Sequence, residues 1–349
     1  MAEMQRRVLV MDGAGQFAVR EEPVPDVPPG TVLVEVKSCL ISPGTELGSV
    51  PARREHPDPE RGPRPFGYGN AGVVLEVGDA VDGFEPGMRV ACMGSGYAQH
   101  ASHAVVPVNL TAPMPEGQSF DAASFAHLAA TALWGVRRTE IAFGHNVAVF
   151  GLGLVGQMAA QLARLSGAHV MAIDRLAMRV EVAAACGADL AVDASTDDLV
   201  ERAKAFSRGR GMDAAILAFG GDATAAIDQA VRMLKTAPDG HKNGCITIVG
   251  GARFEASFPT RFGNVDIRPS SRPGPGYHDE AWERGADYPP VFVEWTTKRN
   301  IEECLRAEAE GRLDLESLIT HRFPLDEGPE ACNLLVDHPD RAFGVILHP

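Results

Sequence analysis

The residues whose spacing most clearly predicts a chemical role are three glycines, Gly151, Gly153 and Gly156, in the stretch VAVFGLGLVGQMAAQLARLSGAHVMAID. An apolar strand pattern precedes them, a helix pattern follows, and Asp174 ends the next apolar run. The first glycine permits a tight turn, the second lets the backbone approach a pyrophosphate, and the third lets helix and strand pack closely. The helix then directs its N-terminal amides at the phosphates. The pattern predicts a dinucleotide site.

The two residues after the second strand predict which dinucleotide binds. A carboxylate at Asp174 could accept hydrogen bonds from both ribose hydroxyls and would repel a 2′-phosphate, which favours NAD. Arg175 follows it directly, and its guanidinium could hold the 2′-phosphate of NADP instead, or be a solvated side chain at a strand end. We therefore expect NAD and leave NADP open.

The remaining expected cofactor contacts lie in the glycine motif, ahead of it, or after the later apolar runs DAAILAFGG and CITIVGG. They are Leu152, Leu154, Val155, Thr131, Phe219, Gly220, Gly250 and Gly251.

The elements that must position these residues differ between the two parts of the chain. Up to about Phe120, β-branched runs such as TVLVEVKSCLI and AGVVLEVG are broken by Gly and Pro, which predicts a barrel-like β domain. Beyond it, apolar runs alternate with long helix patterns, which predicts βαβ units and a parallel sheet. The predicted fold class is α/β, a Rossmann doubly wound parallel sheet plus a β-rich domain. The boundaries are 1–126 and 294–349 for the β-rich catalytic domain and 127–293 for the nucleotide-binding domain.

The totals narrow the class of protein. A chain of 349 residues, 45% hydrophobic and 22% charged, has room for two globular domains. The formal charge of -14 argues against nucleic acid as a partner. No apolar run approaches the roughly 20 residues of a membrane span, and the first residues do not read as a signal peptide, so a cytoplasmic location is expected. The six cysteines are far apart without any CxxC, which predicts buried thiols rather than disulfides or a metal cluster.

The order of a β-rich part, a Rossmann unit and a short return segment resembles the medium-chain dehydrogenase/reductase superfamily over essentially the whole chain. Besides GLGLVG, the resemblance rests on GNAGVVLEVGDAVDGFEPGMRV, AATALWGV and LITHRFPLDEGPEA. Within the superfamily, SPGTE, GYGNAGVV, RVACMGSGYAQHA, GPGYHDEAWERGADYP and WTTKRNIEECL resemble the dehydrogenase half of bi-domain oxidoreductases associated with sugar metabolism. The resemblance implies a GroES-like catalytic domain, an NAD(P)-dependent oxidoreductase and a homodimer.

The resemblance also implies where a catalytic zinc would be bound. In zinc-dependent members the ligand positions fall on Ser42, Tyr68 and His127 of this sequence, and the Glu of the second ligand's motif falls on Gly69. A Ser, a Tyr and one His do not make a zinc site, which needs three or four Cys, His or carboxylate ligands. Cys39 does not align with a ligand and is expected to be a packed strand residue. The resemblance therefore implies an enzyme without metal.

Without zinc, other groups must stabilise the alkoxide that develops when a hydride reaches a carbonyl. A hydrogen-bond donor must lie at that oxygen and supply a proton. Tyr68 could donate while neutral, and His127, by its ordinary pKa, could titrate near neutral pH. Alternatively, Tyr68 packs against a backbone carbonyl and His127 is a satisfied core histidine. Thr45 falls where the superfamily often has a Ser or Thr that relays the proton.

Polar residues around these positions are the expected substrate contacts. They are Ser42, Glu46, Asn70, Tyr277 and His278. Glu46 could accept from a substrate hydroxyl or cap a turn, and the turn is preferred. The loop with Tyr277 and His278 is expected to reach the active site, with a dimer contact as the alternative. His100 and His103 have no third partner nearby in sequence and are read as surface or core residues.

The leading interpretation is a zinc-independent oxidoreductase that transfers a hydride between a nicotinamide cofactor and a hydroxyl or ketone of a sugar, cyclitol or similar polyol. Its partners would be a small-molecule substrate and a second copy of the chain. The alternatives are an enone or quinone reductase and a non-catalytic cofactor-binding protein.

Overall fold

The computed structural model describes residues 4–258 and 260–349 and divides the chain into two compact units. Unit 1 comprises the chain up to Ala130, Pro273–Gly311 and Leu318–Pro349, and unit 2 comprises Thr131–Arg272 and Arg312–Ser317. The boundaries expected from sequence gave 273–293 to the nucleotide-binding domain, whereas the structure places this segment in unit 1. The physical reason is Trp282, which is 2% exposed and belongs to the core of unit 1.

Unit 1 is built mainly from antiparallel strands. Its strands are β1 Gln5–Met11, β2 Phe17–Pro23, β3 Thr31–Ile41, β4 Arg64–Pro65, β5 Gly69–Val77, β6 Arg89–Met93, β7 His103–Pro107, β8 Thr111–Pro113, β17 His321–Pro324 and β18 Val345–His348. Its helices are α1 Pro43–Glu46, α2 Val50–Glu55, α3 Phe120–Ala123, α9 Glu280–Glu283, α10 Thr297–Ala309 and α11 Gly328–Asp337, and α4 Ala126–Thr139 begins here and continues into unit 2. One sheet has the order β2-β1-β4, and the other β17-β18-β3-β5-β6-β8, with β7 also paired to β3.

Strand β3 organises unit 1 because its apolar run is buried along most of its length. It pairs with β5 in an antiparallel register that sets Cys39 opposite Asn70. The carboxyl end of β3 therefore lies beside the amino end of β5. Ser42 directly follows β3 and Tyr68 directly precedes β5, so the register alone brings these two residues together.

Unit 2 is a parallel sheet with helices. Its strands are β9 Asn146–Phe150, β10 His169–Asp174, β11 Leu190–Asp193, β12 Ala214–Leu217, β13 Gly221–Asp222, β14 Asn243–Val249, β15 Ala252–Arg253 and β16 Asn264–Ser270. Its remaining helices are α5 Leu154–Leu165, α6 Ala177–Ala185, α7 Leu199–Phe206 and α8 Thr224–Met233. The main sheet runs β11-β10-β9-β12-β14-β16 with parallel pairing throughout. Outward growth of the sheet on both sides of β9 is the doubly wound order, and the predicted fold class is confirmed.

The turn after β9 depends on two glycines. Gly151 has φ +83°, a left-handed conformation that favours glycine. A Cβ on Gly156, in the first turn of α5, would lie 1.7 Å from the Gly151 carbonyl oxygen. Helix and strand thus approach more closely than any other residue at 156 would allow, as the motif predicted.

Five of the six cysteines are buried thiols as expected, namely Cys39, Cys92, Cys245, Cys304 and Cys332, and Cys39 is a fully buried residue of β3. The expectation is wrong for Cys186, which is only half-buried because it directly follows the last turn of α6. In residues 4–258 and 260–349, none of the helices has the length and apolar character needed to cross a membrane.

Gly156→Ala is expected to weaken nucleotide binding at least about 10-fold and to lower the free energy of unfolding by about 1–3 kcal/mol, because the new methyl group must displace the backbone of the β9 turn. Isothermal titration with NAD and denaturant unfolding measure the two effects. Gly62→Ala is the matched control, since a Cβ there meets nothing within 4 Å. Wild-type nucleotide affinity in Gly156→Ala would contradict the assignment of the turn.

Candidate active site

Tyr68 and Ser42 form the centre of the candidate site in unit 1. The Tyr68 hydroxyl donates a hydrogen bond of 2.8 Å to Ser42 Oγ. Ser42 is buried, while Tyr68 is only partly buried. Burial and the charge of Glu46 raise the pKa of Tyr68 above its ordinary value, although hydrogen bonds with Ser42 and Thr45 act in the opposite direction. Tyr68 is therefore a neutral phenol at physiological pH, and its hydroxyl is already hydrogen-bonded to Ser42.

His127 packs its ring edge-on against Tyr68, with the ring centroids 4.6 Å apart and the planes at 83°. Its Nδ1 lies 3.1 Å from the Ser124 carbonyl oxygen, which accepts a hydrogen bond when Nδ1 carries the proton. Burial and the nearby charge of His100 lower the pKa of His127 to about 3, against the opposing hydrogen bond to Ser124. The expectation that His127 titrates near neutral pH is therefore wrong, because a fully desolvated imidazole stays neutral there.

Gly69 makes the contact between the two rings possible. A Cβ at this position would lie 2.1 Å from Cε1 and Nδ1 of His127. The His127 ring thus occupies the volume that any side chain at 69 would need. This glycine, which falls where zinc-dependent members of the resembled superfamily have a Glu, is a steric requirement of the site.

Glu46 braces the turn that carries Ser42. Its Oε2 accepts a hydrogen bond of 2.6 Å from the Ser42 backbone N–H at the start of α1. The preferred turn-capping role of Glu46 is thereby confirmed. The same oxygen lies 3.2 Å from Nε2 of His100, which is fully buried. Sequence reasoning missed His100, because the two residues lie 54 positions apart and share no local motif.

The other polar candidates of unit 1 lie close to this centre. Thr45 is exposed and hydrogen-bonds with Tyr68. Asn70 is buried, and its Nδ2 donates to the Gln99 carbonyl oxygen at 3.0 Å. Its Oδ1 has no hydrogen-bond partner among the residues that the structure describes. A buried carbonyl oxygen without a donor costs free energy, which a hydrogen bond from a water molecule or a ligand would recover.

The loop after Pro273 reaches the same region. Tyr277 contributes to the electrostatic environment of Tyr68, and its hydroxyl accepts from the Ser95 backbone N–H at 2.8 Å. His278 stacks on Tyr277 at 3.9 Å and has a left-handed backbone with φ +73°. The structure thus brings Tyr277 towards Tyr68 and stacks the His278 ring on the Tyr277 ring.

The donor set does not fit a catalytic zinc ion. The Tyr68 hydroxyl is hydrogen-bonded to Ser42 Oγ, and Nδ1 of His127 faces the Ser124 carbonyl oxygen. Zinc prefers thiolate, imidazole and carboxylate ligands in a group of three or more. In the described ranges, 4–258 and 260–349, no such group of His, Cys, Asp or Glu is placed to hold a metal.

The nucleotide end of unit 2 is built around the Asp174 carboxylate. Its Oδ2 accepts from Leu152 N at 2.6 Å, and its Oδ1 accepts from Arg175 N at 2.7 Å and Leu176 N at 2.9 Å. Arg179 Nη1 lies 4.0 Å from Oδ2. Because a carboxylate offers about four acceptor positions, only about one remains for a ribose hydroxyl. The main role of Asp174 is therefore to hold the turns after β9 and β10 together through hydrogen bonds.

The glycine-rich ends of three parallel strands, β9, β12 and β14, meet beside Asp174. A Cβ on Gly151 would lie 3.0 Å from the Phe219 ring, and one on Gly250 would lie 3.6 Å from the Phe219 carbonyl oxygen. Gly221 N donates to the Gly251 carbonyl oxygen at 3.2 Å. The expected contacts after β12 and β14 thus lie with the fingerprint at the carboxyl edge of the sheet, where dinucleotides bind in this topology. Thr131 lies in α4, and Leu154 and Val155 begin α5.

Comparison with known proteins agrees with this geometry. Residues 155–284 match the zinc-binding dehydrogenase family. The chain is 25% identical to an alcohol dehydrogenase of Cupriavidus necator over 96% of both chains. It is 29% identical to D-guloside 3-dehydrogenase of Shigella flexneri over 82% of this chain and 80% of that one. The structure of a Sinorhizobium meliloti protein bound to NADP has the same fold, with a TM-score of 0.78 and 22% identity over 99% of this chain and 100% of that chain.

The chain is an NAD(P)-dependent oxidoreductase with the fold of the dehydrogenases to which it is similar. Its unit 2 supplies the glycine turn, the helix N-terminus and the strand ends that a nicotinamide dinucleotide needs.

Asp174→Ala is expected to weaken binding of NAD by about 10-fold or more and binding of NADP by less, because three backbone N–H groups lose their acceptor and the turns that face the ligand loosen, while the repulsion of a 2′-phosphate is also lost. Asp82→Ala is the matched control, since this aspartate is exposed and belongs to unit 1, so its loss leaves the Asp174 carboxylate and its three hydrogen bonds unchanged. Fluorescence titration with both nucleotides measures the affinities. Unchanged NAD binding together with tighter NADP binding in Asp174→Ala would show that the carboxylate acts on the ribose rather than on the turns.

Proposed function

We propose that this dehydrogenase is zinc-independent, prefers NAD, and interconverts a hydroxyl and a ketone on a sugar, cyclitol or similar polyol, with Tyr68 as the group that exchanges the proton. The observation that carries the proposal is the Tyr68 hydroxyl, which is neutral, partly buried and bonded to Ser42 at 2.8 Å. It stands at a position that the superfamily resemblance assigns to a metal ligand.

The nicotinamide cofactor, when bound, supplies or accepts the hydride. The protein must then stabilise charge on the substrate oxygen, and a phenol donates to a developing alkoxide because the alkoxide is the stronger base. In the structure the Ser42 hydroxyl accepts a hydrogen bond from Tyr68. When Tyr68 gives its proton to the substrate oxygen, the Ser42 hydroxyl rotates and donates a hydrogen bond to the phenolate. Thr45 is hydrogen-bonded with Tyr68 and exposed, so it offers a path for the proton from solvent.

His127 supports this step without titrating. With a pKa of about 3, His127 stays uncharged throughout the neutral pH range and only packs against Tyr68. Its ring edge fixes the plane of the Tyr68 ring. A ring held in one orientation loses little entropy when its hydroxyl must point at the substrate oxygen.

Polar groups around Tyr68 support a polyol as substrate. Asn70 Oδ1 has no hydrogen-bond partner in the described chain, and Thr45 and Tyr277 add hydroxyl groups. A site built to pair hydroxyl groups discriminates strongly against ligands that lack them. The 29% identity to a D-guloside 3-dehydrogenase supports the same substrate class. An enone or quinone would leave these polar groups unpaired.

The proposed reaction is tested by following nicotinamide absorbance at equal concentrations of polyols, simple alcohols and enones, with NAD and with NADP, in the presence of a chelator. We expect turnover of polyols with NAD, no loss of activity in chelator, and no stoichiometric zinc by elemental analysis. Turnover of enones alone would contradict the substrate class. About one tightly bound zinc per chain, lost together with activity, would contradict zinc independence.

Tyr68→Phe is expected to lower kcat about 10²-fold or more with little change in nucleotide affinity, because the ring and its packing remain while the proton donor is lost. Tyr97→Phe is the matched control, a hydroxyl deletion on a tyrosine outside the Ser42 network. Steady-state kinetics on the best polyol measure the effect. Normal turnover in Tyr68→Phe together with an inactive His127→Ala would transfer the donor role to His127.

A further inference from the structure

A buried ion pair lies directly behind the candidate catalytic groups. His100 Nε2 and Glu46 Oε2 are 3.2 Å apart, and their side chains are 0% and 4% exposed. Removing two charges from water costs free energy that their attraction does not always recover, so a buried pair is weak evidence for a role in stability. Its position in the site indicates another use.

The ion pair is connected to Tyr68 through Ser42. The same Glu46 oxygen accepts from the Ser42 backbone N–H at 2.6 Å, and Ser42 Oγ accepts from the Tyr68 hydroxyl at 2.8 Å. Glu46 Oε1 is buried and has no hydrogen-bond partner in the described chain. The carboxylate is therefore held through one oxygen, on one side by His100 and on the other by the turn that carries Ser42.

His100 is also tied to the segment that carries Tyr68. Its backbone N–H donates to the Phe66 carbonyl oxygen at 3.0 Å, and its ring meets the Phe66 ring edge-on at 5.3 Å. A Cβ on Gly67 would lie 2.4 Å from the His100 backbone nitrogen, so the two backbones are in close contact. The ion pair thus connects the chain before Tyr68 to the chain after Ser42.

We propose that Glu46 and His100 are positioning residues that hold Ser42 and Tyr68 at hydrogen-bonding distance in the geometry that proton exchange requires. This inference rests on the proposed function, in which Tyr68 is the proton donor. Neither residue touches the substrate oxygen in this scheme; both act through Ser42.

The electrostatics agree with the geometry. Burial opposes the charge on His100, but Glu46 and the neighbouring Cys39 outweigh it and raise the pKa of His100 to about 10. The other titratable groups that face the pair are Tyr68, Cys332 of α11 and His127 of α4. The charge of Glu46 adds to burial in raising the pKa of Tyr68 and of Cys332, and the charge of His100 adds to burial in lowering that of His127. At neutral pH His100 therefore carries a positive charge that faces Glu46, while Tyr68, Cys332 and His127 are neutral.

The charge state is measured first, on the unmodified protein. In a 15N-histidine NMR titration, one imidazolium signal among the 11 histidines should persist above pH 8 and be absent in His100→Gln. In Glu46→Gln the His100 signal should become neutral below pH 8. A His100 that titrates near pH 6.5 in the unmodified protein would overturn the ion pair, whatever any variant does.

Kinetics then test positioning. Glu46→Gln keeps the shape and an acceptor for Ser42 N but removes the charge, and it should lower kcat about 10- to 100-fold with the NAD dissociation constant unchanged. His103→Gln is the matched control. His103 is the first residue of β7, three positions after His100, and this variant should behave as wild type. The double variant Glu46→Gln, His100→Gln replaces the charges with two amides. Its loss should not exceed the larger single loss if the two residues act as one unit.

The outcomes separate this inference from the proposed function. If Tyr68→Phe is impaired while folded Glu46→Gln and the double variant turn over normally, positioning by the ion pair is wrong and Tyr68 remains the donor. If Tyr68→Phe turns over normally, the proposed donor is wrong. Should Glu46→Gln fail to fold, the double variant, which contains no unpaired charge, decides: normal kcat overturns the inference, and a lowered kcat with normal NAD affinity supports it.

Discussion

An unpaired buried polar group costs free energy, and the pairing of most such groups determines how the carboxyl end of β3 is built, with Glu46 Oε1 and His100 Nδ1 as atoms that have no hydrogen-bond partner in the described chain. The strand ends at Ile41, and the polar residues that follow it lie where water cannot reach most of them. Glu46 satisfies the backbone of Ser42, His100 balances Glu46, and Ser42 satisfies Tyr68. Each of these groups would cost free energy if it lost its neighbour, so the set holds together as one piece.

The same constraint operates in unit 2 with backbone donors in place of side chains. Three amides of the β9 and β10 turns converge on Asp174, and the close approach at Gly156 leaves no room for them to adjust. A carboxylate usually discussed as a reader of ribose is here also a structural acceptor. Cofactor preference and turn stability are therefore linked through one side chain, and selection on either affects the other.

Much of the fold could be predicted from sequence because it depends on local patterns. The run TVLVEVKSCLI is β3 from end to end, and the glycine fingerprint lies between β9 and α5 as predicted. The candidate site was harder to predict, since Ser42, Tyr68 and His127 come together only through strand register and a helix far along the chain. Composition and spacing contained no signal for His100, whose partner is distant in sequence. The segment after Pro273 was assigned to the wrong unit because the burial of Trp282 depends on a core assembled from remote strands.

Gly69 has a consequence for how such sites change over time. The His127 ring fills the volume in which a side chain at 69 would lie, so the two positions are not independent variables. A library or lineage that samples 69 alone meets a steric barrier at every residue other than glycine, while one that first shrinks the side chain at 127 does not. Among descendants of this chain the two positions should covary, and the order of substitution, with 127 ahead of 69, is set by geometry rather than by chance.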